Sequence, residues 1–454
     1  MGGSSCAHRS RPAFGRLAAP RAVGSRPGSR GRTLAALRLL LRSSHLAGPD
    51  DLPALVAAAG AELGAGPAVL YLVDYDQVLL GPLLTAEPAA GSIDLSAGLD
   101  SGVNYVGADG PLVVNGTLAG RVYSDLTQLT SSAGPGLTVW TPVLDGTERL
   151  GVLRTDFPHG GEPGQGEPGQ ELLEGCQDVA SLLAELVVTR SLYGDAIERT
   201  RRRSPMTLPA ELAWRALPAL TFVSPRVSIA GVLAPATQVG GDSFDYALNG
   251  DILHVAIFDG MGHGLQAALL ATVAVGALRN ARRSGLDIAD TVCAIDSALG
   301  GHFEPGTFVT GIIVELDLVG GWWRWATCGH APALLVRDGR VVKQLDAVTD
   351  PPLGLGLLDQ PQIGPERLQP GDRLLLHTDG VTEARNQAGE FFGNDRLVEF
   401  TSRQAAAGRP AAETLRRLNH AILDHQDGAL QDDATTVLIE WLGDQPQRLD
   451  LPTA

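Results

Sequence analysis

Cysteine is scarce and scattered. Cys6, Cys176, Cys293 and Cys328 are the only four in 454 residues, and no two form a CxxC pair. That spacing excludes a zinc ribbon and speaks against a disulfide framework, so reduced thiols in a cytoplasm are expected. Neither HExxH nor HxH occurs, which removes the usual histidine-based metal sites. No stretch offers about 18 uninterrupted apolar residues, so no membrane span is expected. The N-terminal arm is rich in Arg, Gly, Pro and Ser and has no continuous apolar segment, which makes it a poor signal peptide. Lysine is almost missing: Lys343 stands alone against many arginines.

What remains is a globular composition. At 454 residues, with 44% hydrophobic and 19% charged residues, the chain has room for two or three domains with cores of their own. A net charge of −16 argues against a nucleic-acid-binding surface over most of its length. The charge is uneven, since residues 1–45 carry nine Arg and neither Asp nor Glu. Residues 1–32 read as a disordered basic arm.

The ordered region opens with Leu34, Leu37, Leu40 and Leu41 at helical spacing, then a second helix through Leu63 capped by Asp50 or Asp51. Ala68–Val73 reads as a strand, and Leu137–Val143 and Arg149–Arg154 as two more, joined by a hairpin turn at Asp145-Gly146. Gly161–Gln165 repeats directly as Gly166–Gln170, a Pro/Gly loop too short to define a repeat architecture. From Glu171 a long helix carries Leu172, Cys176, Val179, Leu183, Leu186 and Val187 on one stripe. That stripe suits packing on its own domain, and equally a coiled-coil contact in a homodimer. On the second reading, Leu183→Asp uncouples the two halves of the protein and leaves the C-terminal half intact. Arg199 and Arg201–Arg203 close the segment, where cations suit a helix C-terminus, and Pro209–Leu217 forms a short helix.

From residue 221 strands dominate: Ser228–Leu233, Ile252–Phe258, Thr307–Leu318, Trp322–Thr327, Ala333–Arg337, Arg373–Thr378 and Thr435–Trp441. Helices fit Leu265–Ser284, Asp287–Ala298, Arg396–Ala406 and Pro410–His425. The mixture points to a layered α+β domain.

Four acidic motifs sit at ends of these strands: GGDSFD at Gly240–Asp245, DGMGHG at Asp259–Gly264, HTDGVTEA at His377–Ala384, and DDATTV at Asp432–Val437. A lone Asp-Gly is only a turn signal. Four such clusters in this order look like a binuclear site of hard oxygen ligands, which favours Mg²⁺ or Mn²⁺ over zinc. Two such ions can activate a water for in-line attack on a phosphoryl group, with no Cys or Ser nucleophile required.

These motifs, with Cys328-Gly329-His330-Ala331-Pro332 and Pro352–Gly356, make residues 221–442 similar to the SpoIIE-like branch of the PPM (protein phosphatase 2C-like) serine/threonine phosphatases. The resemblance implies an αββα sandwich and hydrolysis of phosphoserine or phosphothreonine. It implies that Asp259 bridges both ions, that Asp242 and the Gly260 carbonyl hold one, and that Asp379 and Asp432 hold the other. Asp433 stands beside the expected ligand, and the sequence leaves an exchange between the two open. His263 is a candidate general acid, with capping of the following helix as the bland alternative. Asp245, His330, His377 and the three tryptophans Trp322, Trp323 and Trp325 read as structural. The eukaryotic members have a phosphate-binding Arg where this chain has Ala236-Thr237-Gln238-Val239.

Residues 33–190 resemble a GAF-type sensory domain in pattern alone, taking an unknown small ligand, with a helical linker over 191–220 and a tail over 443–454. The family resemblance further implies a phosphorylated STAS-domain anti-sigma-factor antagonist as substrate in sigma-factor regulation. A diguanylate cyclase is set aside, because Ser243 follows Gly-Gly-Asp and Asp379 and Asp432 would be idle. The rival reading is a catalytically silent sensor or scaffold, which four intact Asp positions disfavour.

Overall fold

The computed structural model describes residues 28–84, 110–133, 136–158, 169–234, 240–346, 349–426 and 432–443. Most of the basic arm, most of the Gly-Glu-Pro-Gly-Gln repeat, Ala236–Val239 and the tail after Gly443 lie outside the described residues.

The N-terminal half begins with α1 (Ser29–Ser43) and α2 (Leu52–Leu63), followed by β1 (Ala68–Val73), β2 (Leu79–Pro82) and β3 (Leu112–Val113). Then come α3 (Leu118–Asp125), β4 (Leu129–Ala133), β5 (Gly136–Asp145), β6 (Glu148–Phe157) and α4 (Gln170–Arg190). The six strands form one antiparallel sheet in the order β3-β2-β1-β6-β5-β4. Alternation along β1 sends Leu70 and Leu72 to one face, under α1, α2 and α4, and Tyr71 and Val73 to the other, under α3.

The stripe on α4 is consumed inside this domain. Cys176, Val179, Leu183, Leu186 and Val187 are all buried against α1, α2 and the sheet. The coiled-coil reading of those residues is therefore corrected: a seam already packed at home has no face left for a second helix. Two smaller expectations also change. Asp51 sits at the start of α2, yet its carboxylate accepts from the Gly48 amide at 2.9 Å and caps no α2 amide. The long helix stops at Arg190, so the later arginines do not close it. Arg201 belongs to a short helix, α5 (Ala196–Arg201), lies over the Tyr75 ring and donates to the Val73 carbonyl at 3.2 Å. Arg203 pairs with Asp74 and Asp76, both at 3.6 Å.

After α6 (Leu208–Ala216) the C-terminal half runs β7 (Thr221–Val223), β8 (Val227–Ala234), β9 (Asp242–Asn249), β10 (Ile252–Gly260), α7 (Leu265–Arg283) and α8 (Ile288–His302). It continues with β11 (Val309–Asp317), β12 (Trp322–Cys328), β13 (Ala333–Arg337), β14 (Arg340–Leu345), β15 (Gly364–Arg367) and β16 (Arg373–His377). It closes with α9 (Asp379–Thr382), α10 (Gly393–Ala406), α11 (Ala411–His425) and β17 (Ala434–Trp441). A five-stranded sheet, β15-β12-β11-β10-β9, faces a six-stranded one, β14-β13-β16-β17-β8-β7. The core between them holds Phe244, Trp323, Trp325, Leu374 and Val437. α7 and α8 cover the outer face of the first sheet, α10 and α11 that of the second. Strands buried on both faces read as continuous apolar runs, which is why most were visible in the sequence.

The tip of the β5–β6 hairpin joins the halves. Thr221 donates its amide and hydroxyl to Glu148 at 2.7 and 2.9 Å, the hydroxyl also reaching the Thr147 carbonyl at 2.8 Å. Beside it, Arg149 reaches Glu413 on α11, and Arg416 donates to Asn115 at 3.1 Å.

Candidate metal centre

β9 starts and β10 ends at one edge of the first sheet, and their antiparallel register sets Asp242 directly opposite Asp259. Asp379 opens α9 just after β16, and Asp432 and Asp433 just precede β17, so the second sheet delivers its carboxylates to the same place. Chain segments far apart in sequence meet here because the two sheets are stacked.

The electrostatics record the meeting. Burial, then the neighbouring Asp259 and Asp433, push the Asp242 carboxyl well above the usual carboxylate range. Burial and the charges of Asp379, Asp432 and Asp433 raise Asp259 to about 7. Asp379 is raised by burial, Glu383 and Asp432. Carboxylates crowded with other carboxylates are the environment that a divalent cation stabilises.

The two candidates at the end of the set are sorted by their partners. One oxygen of Asp433 accepts the amides of Gly240 and Gly241, both at 2.6 Å, so that side chain pins the turn into Asp242. Asp432 is exposed, and one of its oxygens accepts the Asp433 amide at 2.9 Å. The turn tolerates no side chain: a Cβ on Gly241 would lie 2.7 Å from the Gly260 carbonyl oxygen, and one on Gly380 would lie 1.8 Å from that of Asp433.

One residue that sequence reasoning passed over, Thr378, and several it read as structural complete the support. Thr378 donates its hydroxyl to Asp242 at 2.7 Å and accepts the Thr435 amide at 3.0 Å, fixing the Asp242 rotamer from the opposite sheet. A Thr just before Asp-Gly was the only signal for it. His330 ties the sheets behind the carboxylates. Its Nε2 donates to the His377 carbonyl at 3.1 Å, which leaves Nδ1 to accept the Thr310 hydroxyl at 2.8 Å. Burial and the neighbouring His377 lower its pKa to about 3. His377 is buried too, and burial lowers its pKa. Asp245 points away from the site into two ion pairs, with Arg279 at 2.7 Å and Arg282 at 2.9 Å. His263 is exposed on the loop between β10 and α7, its Cα beside Gly240.

The donor set fits hard divalent cations: carboxylates from Asp242, Asp259, Asp379 and Asp432, and the Gly260 carbonyl. Among the described residues no three His, Cys, Asp or Glu side chains are grouped closely enough to hold a metal ion as they stand.

Residues 249–442 match the family model described as Stage II sporulation protein E (SpoIIE). The chain is 27% identical over 242 residues to Protein IcfG of Synechocystis sp., covering 46% of this chain and 37% of that protein. It is 23% identical over 275 residues to Phosphoserine phosphatase RsbU of Bacillus subtilis, covering 58% of this chain and 80% of that one. A solved structure of the RsbU and RsbW domains of Rv1364c from Mycobacterium tuberculosis is 27% identical at a TM-score of 0.43, covering 49% of this chain and 63% of that chain. The chain thus spans well under half the length of IcfG and most of the length of RsbU. Residues 249–442 thus match the SpoIIE family model, and the chain is similar in sequence to a protein named as a phosphoserine phosphatase.

Proposed function

We propose that this chain is a divalent-metal-dependent protein phosphatase that hydrolyses phosphoserine or phosphothreonine, regulated by its N-terminal half. The observation that carries the reading is the convergence of Asp242, Asp259, Asp379, Asp432 and Asp433 from both sheets, close enough to raise one another's pKa values. Two Mn²⁺ or Mg²⁺ ions, when bound, supply an activated water and stabilise negative charge on the phosphoryl oxygens. Asp259 would be a ligand common to both ions, Asp242 and the Gly260 carbonyl would help to hold one, and Asp379 and Asp432 would help to hold the other. Asp433 and Thr378 hold the turn and the Asp242 rotamer. His263, exposed on the loop between β10 and α7, is proposed to give a proton to the leaving serine oxygen.

Residues 33–190 are proposed as a GAF-like sensory domain for a small ligand, supported by a sheet covered by helices on both faces. The proposed substrate is a phosphorylated STAS-domain antagonist in a sigma-factor partner-switching pathway, in keeping with relatives named RsbU and RsbP. The working form is proposed to be a cytoplasmic homodimer. Among the described residues no helix is long and apolar enough to cross a membrane.

The test is Asp259→Asn assayed with Mn²⁺ on p-nitrophenyl phosphate and on a phosphoserine peptide. Hydrolysis is expected to fall to the level seen with excess chelator. Turnover undiminished by the substitution, or full activity in chelator, refutes the assignment.

A further inference from the structure

α7 presents an uncharged, open strip that begins at the carboxylate cluster. Between Asp259 and Arg279 the chain has no Asp, Glu, Lys or Arg, although 19% of its residues are charged. Met261, next to Gly260, is 40% exposed, and Leu265 and Leu269 on the first turns of α7 are 44% and 41% exposed. Their neighbours Ala267, Ala268, Leu270 and Ala271 are buried, so the helix is seated and these residues are left over. At 3.6 residues per turn Leu265, Leu269, Thr272 and Gly276 share an arc of about 60° and a length of about 16 Å. Thr272 spends its hydroxyl on the Ala268 carbonyl at 2.7 Å, which leaves its methyl outward.

Gly276 is the independent sign. It lies inside α7, is exposed, and a Cβ built on it would meet nothing within 4 Å. Its φ lies outside the left-handed region, so neither backbone conformation nor a neighbour among the described residues calls for glycine. A mid-helix glycine costs stability relative to alanine. A second molecule packing its backbone against this face is what a missing side chain permits.

Resting on the phosphatase reading above, we propose that this strip is the docking surface for the body of the phosphoprotein substrate, a folded protein with an uncharged, apolar face beside its phosphorylated serine or threonine. The strip is continuous with the site, so a phosphate brought to the carboxylates lays the adjoining protein surface across Met261, Leu265 and Leu269. A small phosphate ester reaches the carboxylates without touching it. A net charge of −16 works against an anionic phosphoprotein elsewhere on the surface.

The experiment compares Leu269→Glu, Leu269→Met and Gly276→Ala with wild type in the full chain. Substrates are p-nitrophenyl phosphate and a serine-phosphorylated STAS-domain protein, both with Mn²⁺. Leu269→Glu is expected to raise KM for the phosphoprotein at least tenfold with kcat within twofold. It should leave p-nitrophenyl phosphate hydrolysis unchanged, and Leu269→Met should behave as wild type. Gly276→Ala should raise Tm and yet raise KM for the phosphoprotein, opposite signs that a merely structural glycine does not give. Equal activity of all variants on both substrates overturns the strip and leaves the phosphatase reading standing. Wild type inert towards both substrates overturns that reading itself. Wild type that cleaves the small ester and leaves the STAS-domain phosphoprotein untouched overturns the assigned occupant. A wild-type dimer that Leu269→Glu splits without any change in KM assigns the strip to a second copy and overturns the proposal.

Discussion

Arg149 Nη1 lies 3.4 Å from Glu413 Oε2, and each side chain is only 5% exposed although they belong to opposite halves of the protein. Arg149 comes from the tip of the β5–β6 hairpin and also donates to Gln77 at 3.1 Å over the Tyr123 ring. Glu413 opens α11 and takes further bonds from Arg416 at 2.8 and 2.9 Å and Arg417 at 2.7 Å. Burial alone would raise the Glu413 carboxyl, but the arginines around it outweigh that and hold it at about 2.

Removing the anion from this cluster leaves the buried Arg149 and Arg416 without a carboxylate partner. Glu413→Ala is expected to cost about 3 kcal/mol, measured by urea unfolding at pH 7. A cost below about 0.5 kcal/mol, the range of surface substitutions, contradicts a buried cluster.

The Thr378 hydroxyl should matter to metal affinity before it matters to folding. Thr378→Val keeps the volume but removes the donor to Asp242, and losses of outer partners typically weaken binding roughly 10–100-fold. Calorimetric Mn²⁺ titration reads this directly; an unchanged dissociation constant excludes the role.

His330 sets an acid limit. Its folded pKa of about 3 lies below the ordinary value of 6.5, so the unfolded chain binds the extra proton first. The stability it contributes is complete above pH 6.5 and is lost as pH falls towards 3, at up to about 1.4 kcal/mol per unit. Glu413, with its lowered pKa, adds to the acid loss only below its ordinary value of 4.5. The difference in urea stability between wild type and His330→Asn, followed from pH 7 to 5, isolates the histidine. A pH-independent difference refutes the account.

A fragment starting at Leu208 retains both stacked sheets and every proposed ligand. It should hydrolyse p-nitrophenyl phosphate with Mn²⁺, at a rate changed by the loss of Arg149 and Asn115 from the surface of α11. A folded, metal-binding and inactive fragment contradicts a purely regulatory role for the N-terminal half.

Elements buried on both sides were the legible ones. β1 and β13 fall on the expected residues, and β8, β10, β12 and β17 differ from expectation by one or two at an end. β9 was absent from the expected strands because Asp242 and Asp245 break its apolar pattern. Arg279 and Arg282, which neutralise Asp245, lie 34 and 37 residues away, and sequence pattern does not show such pairing. The α4 stripe was visible as a period, but a period does not name its partner. Leu183 is fully buried in its own domain, so Leu183→Asp is now expected to unfold that domain and not to uncouple it cleanly. The acidic motifs were legible as a set. That Asp433 pins the turn while Asp432 stays exposed required the Gly240 and Gly241 amides, which have no sequence signature beyond two glycines.

β17 lies between β16 and β8 in the six-stranded sheet although both precede it in the chain. A chain emerging from the ribosome therefore completes its N-terminal core long before the second sheet has a centre. Until residues 432–441 are made, the cleft lacks Asp432, Asp433 and the strand that aligns Thr378. The N-terminal half is thus assembled before the proposed metal site exists at all.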